Sequence, residues 1–241
     1  MPTLYVVATP IGNLGDMSPR AIETLRAVQL IAAEDTRVTM KLLNAFDIST
    51  PLTSCHEHNE RSKAVQIAER MLAENIDVAV TTDAGTPCIS DPGSVLVREA
   101  AERGIPVVAV SGPTAMASAL SVSGMDISEF TFYGFLPRQK NELREKLTDM
   151  ARHSKIAVVH ESPHRVIELL QQVQAVLPHT YVSASCDLTK KFEQTLRGPV
   201  EQVLRLLEEN PKADKGEYCL CLRWAEEDIP APEAVREDIS L

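Results

Sequence analysis

Over the first 110 residues, short β-branched runs alternate with helically spaced apolar positions, the pattern of a mainly parallel sheet with crossover helices. It predicts strands at 5–8, 30–33, 51–54, 78–80 and 106–110, with helices at 19–28, 37–44, 59–74 and 93–103. Ser18 followed by Pro19 marks one helix start, because Ser satisfies free N–H groups and Pro fits a first turn. Near Ser123-Gly124-Met125-Asp126 the pattern relaxes. Beyond it, strand candidates at 130–135, 156–160, 181–185, 192–196 and 218–223 are interleaved with helices at 141–152, 164–177 and 199–209. The expected fold is α/β with a cleft between two domains: 1–120 with a mainly parallel sheet, and 121–224 with a mixed one. An acidic mobile tail at 225–241 follows.

The ends of the predicted strands carry the unusual residues. Asp83-Ala84-Gly85-Thr86-Pro87-Cys88-Ile89-Ser90-Asp91-Pro92-Gly93 follows an apolar strand directly and leads into a helix. Thr9-Pro10-Ile11-Gly12-Asn13 and Ser111-Gly112-Pro113-Thr114-Ala115 repeat the arrangement after two other strands, and Glu34-Asp35-Thr36-Arg37 falls at the end of a fourth. Ligands of open α/β sheets bind beyond the carboxyl ends of the strands, so these turns predict one shared pocket in which Asp83 accepts hydrogen bonds. Neither Gly-x-Gly-x-x-Gly after the first strand nor Gly-x-x-x-x-Gly-Lys-Ser/Thr occurs, so the dinucleotide fingerprint and the P-loop do not apply.

Composition narrows the class. The 241 residues are 44% hydrophobic, enough for a core without staples. Five cysteines, without a Cys-x-x-Cys pair, support neither a disulfide framework nor a structural zinc site. His56-Glu57-His58 could put two imidazoles on one strand face, but no third ligand has suitable spacing, so no metal is expected. No apolar stretch nears the roughly 18 residues of a membrane span, and no basic leader precedes one; a soluble cytoplasmic protein is expected. The net charge of −10 disfavours a polyanionic partner at first sight, yet its distribution is uneven. Residues 1–112 carry −5, 113–224 are balanced and 225–241 carry −5, so any nucleic acid must meet a local basic patch. Arg138, Lys140, Arg144 and Lys146, and then Lys190, Lys191 and Arg197, supply candidates.

Seven segments in order carry a resemblance. Val6-Val7-Ala8-Thr9-Pro10-Ile11-Gly12-Asn13-Leu14, Ala33-Glu34-Asp35-Thr36-Arg37, His56-Glu57-His58-Asn59-Glu60 and the 83–93 loop are four of them. Gly134-Phe135-Leu136-Pro137-Arg138, Glu161-Ser162-Pro163-His164-Arg165 and Leu188-Thr189-Lys190-Lys191-Phe192-Glu193 complete the set. Together they resemble the ribosomal RNA small subunit methyltransferase I family, the 16S rRNA cytidine ribose 2′-O-methyltransferases of the tetrapyrrole methylase superfamily. The resemblance spans residues 3 to about 223. It implies a two-domain fold, S-adenosylmethionine in the cleft between domains, a homodimer, and the decoding region of 16S rRNA, within the 30S subunit, as substrate.

By that likeness Pro10, Asp83, Ala84, Gly85, Ile89, Ser90, Thr114 and Ala115 line the cofactor pocket from the first domain, and His160, Glu161 and Ser162 from the second. Glu34 or Asp35 could serve as general base; equally, the pair could be a helix cap with Arg37 as counter-ion. Lys190 is the candidate for stabilising a developing alkoxide, while Arg37, Arg138, Arg165 and Lys191 are candidates for RNA phosphate. The chain departs from the family pattern at Cys88 (commonly Gly), Ser111 (commonly Pro), His160 (commonly Tyr) and Cys186-Asp187 (commonly Arg-Glu). Two other readings stay open: a tetrapyrrole or other small-molecule methyltransferase of the same fold, and a cofactor-binding ribosome-assembly module without turnover.

Overall fold

The computed structural model describes residues 1–229; the rest of the expected acidic tail, 230–241, lies outside the described residues. The chain forms two compact units, Met1–Ser118 with Leu188–Lys191, and Ala119–Asp187 with the described residues from Phe192 on.

In the first unit β1 (Leu4–Val7), β2 (Leu30–Ala33), β3 (Leu52–Ser54), β4 (Val78–Thr81) and β5 (Val107–Val110) form a wholly parallel sheet in the order β3-β2-β4-β1-β5. Helices α1 (Pro19–Ala27), α2 (Thr36–Ala45), α3 (Glu60–Glu74) and α4 (Ser94–Glu102) connect the strands. Because successive strand residues point to opposite faces, Leu4, Leu30, Ala32, Val78 and Val80 pack with Ala64, Ile67 and Met71 of α3 and Leu96 of α4. Val7, Ile31 and Ala79 pack with Ala21, Leu25 and Leu43 of α1 and α2 on the other face. Both faces are therefore covered. This explains why β2 and β4, buried throughout, read as apolar runs without alternation. Ser18 caps α1, its Oγ accepting from the Ala21 N–H at 3.1 Å.

A further helix, α5 (Ala115–Val122), starts where the sequence pattern offers only a Gly/Pro turn. Thr114 O accepts both the N–H and the hydroxyl of Ser118, at 3.1 and 2.9 Å. The run Ala115-Met116-Ala117-Ser118-Ala119 has no charged residue and a single polar one, so it carries no amphipathic period to reveal a helix.

The second unit contains β6 (Thr131–Phe135), β7 (Ile156–Glu161), β8 (Tyr181–Cys186), β9 (Gln194–Pro199) and β10 (Tyr218–Arg223), in the sheet order β6-β7-β10-β8-β9. Only β6 and β7 run parallel; the other neighbours are antiparallel. Helices α6 (Lys140–His153), α7 (Val166–Val176) and α8 (Val200–Glu208) set Leu147, Met150, Leu170, Val173, Val203 and Leu207 against it. β9 begins two residues later than the apolar pattern suggests. Asp187 and Thr189 take left-handed φ angles of 51° and 65°, and pairing resumes only where Gln194 meets Cys186.

Candidate functional site

The loops after β1 and β4 lead to helices on opposite faces of the first sheet, α1 and α4, so the chain parts between two adjacent strands and leaves a crevice. Backbone pairing holds its walls. The Thr9 N–H donates to Gly85 O at 2.8 Å, and the Gly85 N–H donates back to Thr9 O at 3.1 Å. The Thr9 hydroxyl adds a bond to Thr82 O at 3.1 Å. Gly85 is buried with φ at +88°, and a Cβ there would stand 3.3 Å from Ile11 Cγ2, so this junction requires glycine. The loop after β5 joins the same place: the Thr86 hydroxyl donates to Pro113 O at 3.2 Å, and a Cβ on Gly112 would come within 3.0 Å of Ala8 Cβ. Three predicted turns thus converge within one unit. They carry Pro10, Asp83, Ala84, Gly85, Ile89, Ser90, Thr114 and Ala115, with Asp83, Ala84, Ile89 and Ser90 exposed.

Carboxylates tie the end of β2 to this loop. Glu34 Oε2 accepts from the Thr82 hydroxyl at 2.5 Å and the Asp83 N–H at 3.2 Å, while Asp83 Oδ1 accepts from the Asp35 N–H at 3.1 Å. Burial, then the nearby charge of Glu34, raises the pKa of Asp83 above the ordinary carboxylate value. The same two causes, with Asp83 added, bring Asp91 to about 6. Asp35 differs. Hydrogen bonds from the Arg37 side chain, 2.6 Å at Nη2, and then from the Arg37 N–H at 2.8 Å hold it at about 2. It caps α2 with Arg37 as counter-ion, which is the structural alternative of the two sequence readings. A carboxylate held that low is a poor proton acceptor at neutral pH.

Two distant segments complete the first-unit site. Leu188–Lys191 belongs to this unit and lies over the β1 turn: a Cβ on Gly12 would meet Lys190 Cγ at 2.5 Å and Leu188 O at 3.1 Å. Lys190 is half-buried, and Lys191 is exposed beside it. The other segment is His56-Glu57-His58-Asn59-Glu60, which holds the loop's far end through Glu60. Glu60 Oε1 accepts from the Gly93 N–H at 2.6 Å and the Val95 N–H at 3.0 Å, giving α4 its N-terminal carboxylate. Nothing in the order of residues 56–60 reveals that role, because Gly93 and Val95 lie more than thirty positions away. The rings of His56 and His58 meet edge to face at 5.9 Å, and among the described residues no group of three potential metal ligands exists. Within the loop Cys88 and Ser90 both take left-handed φ, 71° and 66°, a conformation that glycine adopts more easily.

Next to the β1 turn opens a cavity of ≈ 280 Å³ lined by Thr9, Pro10, Gly12, Leu14, Val38, Lys41, Leu42 and Asp83. Val38, Lys41 and Leu42 were not singled out by sequence, since they are spaced like any amphipathic face.

In the second unit, His160 and Glu161 end β7. The His160 ring lies edge-on to Phe132 at 5.1 Å and Phe135 at 5.7 Å, and burial lowers its pKa. Glu161 is 3% exposed; Oε1 accepts from the Ser162 N–H at 2.8 Å, and burial raises its pKa against the pull of Ser162, Arg165 and Arg138. Arg165 stands 3.5 Å from Glu161 and donates to Pro137 O at 3.0 Å, so its guanidinium braces the 136–138 turn. Arg138 is exposed.

Comparison with known proteins follows the same lines. The family model described as Tetrapyrrole (Corrin/Porphyrin) Methylases matches residues 3–204. A protein of Halalkalibacterium halodurans named Ribosomal RNA small subunit methyltransferase I is 42% identical over 238 residues, 99% of this chain and 81% of that protein. The protein of that name from Vibrio cholerae is 42% identical over 220 residues, 91% of this chain and 76% of its own. A crystal structure of diphthine synthase superposes with a TM-score of 0.71 at 13% identity, covering 92% of this chain and 90% of that one, which extends the likeness of fold alone.

Proposed function

The chain belongs to the tetrapyrrole methylase family, and from that premise we propose that it is an S-adenosylmethionine-dependent methyltransferase acting on small-subunit ribosomal RNA, at the ribose 2′-hydroxyl of a cytidine in the decoding region. The observation that carries the rRNA reading is 42% identity over 99% of the chain to a protein named Ribosomal RNA small subunit methyltransferase I; the cytidine 2′-hydroxyl as acceptor rests on the sequence motifs. The first-unit site fits the cofactor. A glycine junction at Gly85 and Gly112, where a Cβ would crowd Ile11 and Ala8, holds three loops around one crevice, with Asp83 to accept from hydroxyl or amine and exposed Ile89 to meet an apolar ring.

When bound, S-adenosylmethionine supplies an electrophilic methyl group on a positively charged sulfur. We assign its contacts in this unit to Pro10, Asp83, Ala84, Gly85, Ile89, Ser90, Thr114 and Ala115. The residues themselves do the rest: Glu34 fixes Thr82 and Asp83, so the acceptor carboxylate is held before any ligand arrives. Such positioning lowers a two-substrate barrier by several kcal/mol. Lys190, set over the β1 turn, supplies positive charge where a hydroxyl oxygen sheds its proton. Asp35 acts as the helix cap and Arg37, 87% exposed at its side chain, extends toward RNA phosphate together with Lys191. The working form is a homodimer on the assembled 30S subunit.

Mass mapping of small-subunit rRNA from a strain lacking this chain tests the reading, with a decoding-region cytidine expected to lose its ribose methyl. Purified protein with labelled cofactor should restore the methyl to 30S subunits from that strain. An unchanged nucleotide map, or cofactor binding without transfer, rejects the assignment. For the pocket, Asp83→Ala should weaken cofactor affinity in calorimetry; unchanged affinity removes Asp83 from the contact set.

A further inference from the structure

We infer that the cavity between the β1 turn and α2 is the dock for one unpaired nucleotide of the RNA, its base against the wall of Leu14, Val38 and Leu42 and its phosphate on Lys41. The inference rests on the rRNA reading above and deepens it.

The wall arises from helix spacing. Val38, Lys41 and Leu42 stand at i, i+3 and i+4 on one face of α2, while Thr39 and Leu43 are buried on another. Leu14 comes from the turn after β1, where the Asn13 carboxamide accepts the Gly15 N–H at 2.9 Å and fixes the backbone. Leu14 is 51% and Val38 38% exposed, so apolar area stays in water at the cavity mouth until something flat and apolar covers it. At ≈ 280 Å³ the space takes a single nucleoside.

Charge selects the occupant. Lys41 is exposed and makes no ion pair among the described residues, in contrast to Arg37 one turn earlier, which is held by Asp35 at 2.6 Å. Asp83 lines the same cavity without pairing with Lys41. A carboxylate on the same lining disfavours a phosphate beside it and leaves Lys41 as the phosphate's partner. An apolar wall beside an exposed cation matches the base and the phosphate of a nucleotide. Sequence-specific RNA recognition also relies on unpaired bases, which present a free face.

The test compares wild type with Lys41→Ala, Lys41→Arg and Val38→Trp, each checked for an unchanged melting temperature. For Lys41→Ala we expect about tenfold weaker binding of 30S subunits and a salt dependence of log K shallower by about 0.7, one phosphate contact on single-stranded RNA. Lys41→Arg should restore both. Val38→Trp, which fills the cavity, should raise the KM for 30S subunits about tenfold. Cofactor affinity should stay within twofold of wild type in both Lys41 variants. If the wild type methylates 30S subunits while none of these values moves, the dock is wrong and the rRNA reading stands. A fall in cofactor affinity parallel to the loss of RNA binding also overturns it, because the cavity then belongs to the cofactor. If the wild type transfers no methyl to 30S subunits, the rRNA reading fails and takes the dock with it.

Discussion

Glu60 Oε1 accepts the Gly93 N–H at 2.6 Å, so a buried side chain at the start of α3 fixes the last residue of the loop that begins at Asp83. The same oxygen takes the Val95 N–H at 3.0 Å, which leaves two donors of α4 dependent on one carboxylate. Glu60→Ala should therefore cost about 2 kcal/mol, from the loss of charged hydrogen bonds and exposure of unpaired donors. Cofactor affinity should fall too, because the loop loses its far anchor. Glu60→Gln keeps the acceptor and should lose much less of both. Denaturant melts and calorimetry measure the two effects, and an Ala variant as stable as wild type contradicts the anchoring role.

Gly12 and Lys190 should behave as a coupled pair. The turn has no room for a Cβ beside Lys190 Cγ, so Gly12→Ala must displace the lysine stem or the backbone of Leu188. Methyl transfer should drop about tenfold or more in Gly12→Ala and in Lys190→Ala, with cofactor affinity spared in the latter. The double variant should be little worse than either single one, since both changes remove the same placement. Additive losses in the rate cycle mean that Gly12 acts through some other contact.

Backbone strain at Cys88 makes a third outcome. A φ of 71° costs a side-chain-bearing residue about 1–2 kcal/mol, partly offset by the greater chain entropy glycine loses on folding. Cys88→Gly should leave the protein at least as stable as it is. Cys88→Val, with a branched Cβ in the same conformation, should destabilise it by more than about 1 kcal/mol. Equal melting temperatures for the Gly and Val variants show that this backbone relaxes without penalty.

Asp91 predicts a pH dependence opposite to that of a salt-bridged carboxylate. Its folded pKa is raised to about 6 by burial and by Glu34 and Asp83, so the folded form binds a proton more tightly than the unfolded chain does. The group is neutral in both states below its unfolded value, and it penalises folding increasingly as pH climbs from about 4 to about 6. Asp91→Asn should match wild type near pH 4 and gain on it above pH 6. Denaturation at pH 4, 6 and 8 measures the difference, and a gap that stays constant across that range removes the proposed burial effect.

His179 works with the usual sign for a histidine. Its ring Nδ1 stands 2.7 Å from Asp228 Oδ1 and 3.5 Å from Glu227, and the hydrogen bond with Asp228 raises its pKa. The contact contributes fully below the unfolded value near 6.5 and fades as pH rises through the raised folded one. His179→Gln should lower the melting temperature more at pH 5.5 than at pH 8.5. The effect is small because the ring is exposed. Identical losses at the two pH values exclude a role for its charge.

Local pattern determined much of this protein. Strands and helices follow from period, Ser18 and Pro19 from the chemistry of a helix start, and the loops after β1, β4 and β5 from glycine and proline at strand ends. Each of these depends on neighbours within a few positions, which a chain displays openly. Helix α5 escaped because its eight residues include none that is charged, so no polar face sets a period. What joins distant segments was decided in three dimensions. Glu60 beneath Gly93, Glu34 against Thr82 and Lys190 across Gly12 are pairings whose partners lie far apart along the chain. Asp35 shows the boundary best. Its sequence allowed a base or a cap; the cap is what the structure shows, with Arg37 at 2.6 Å lowering the carboxylate's pKa. Charge and distance act through space, so residue order could propose these partners but not choose among them.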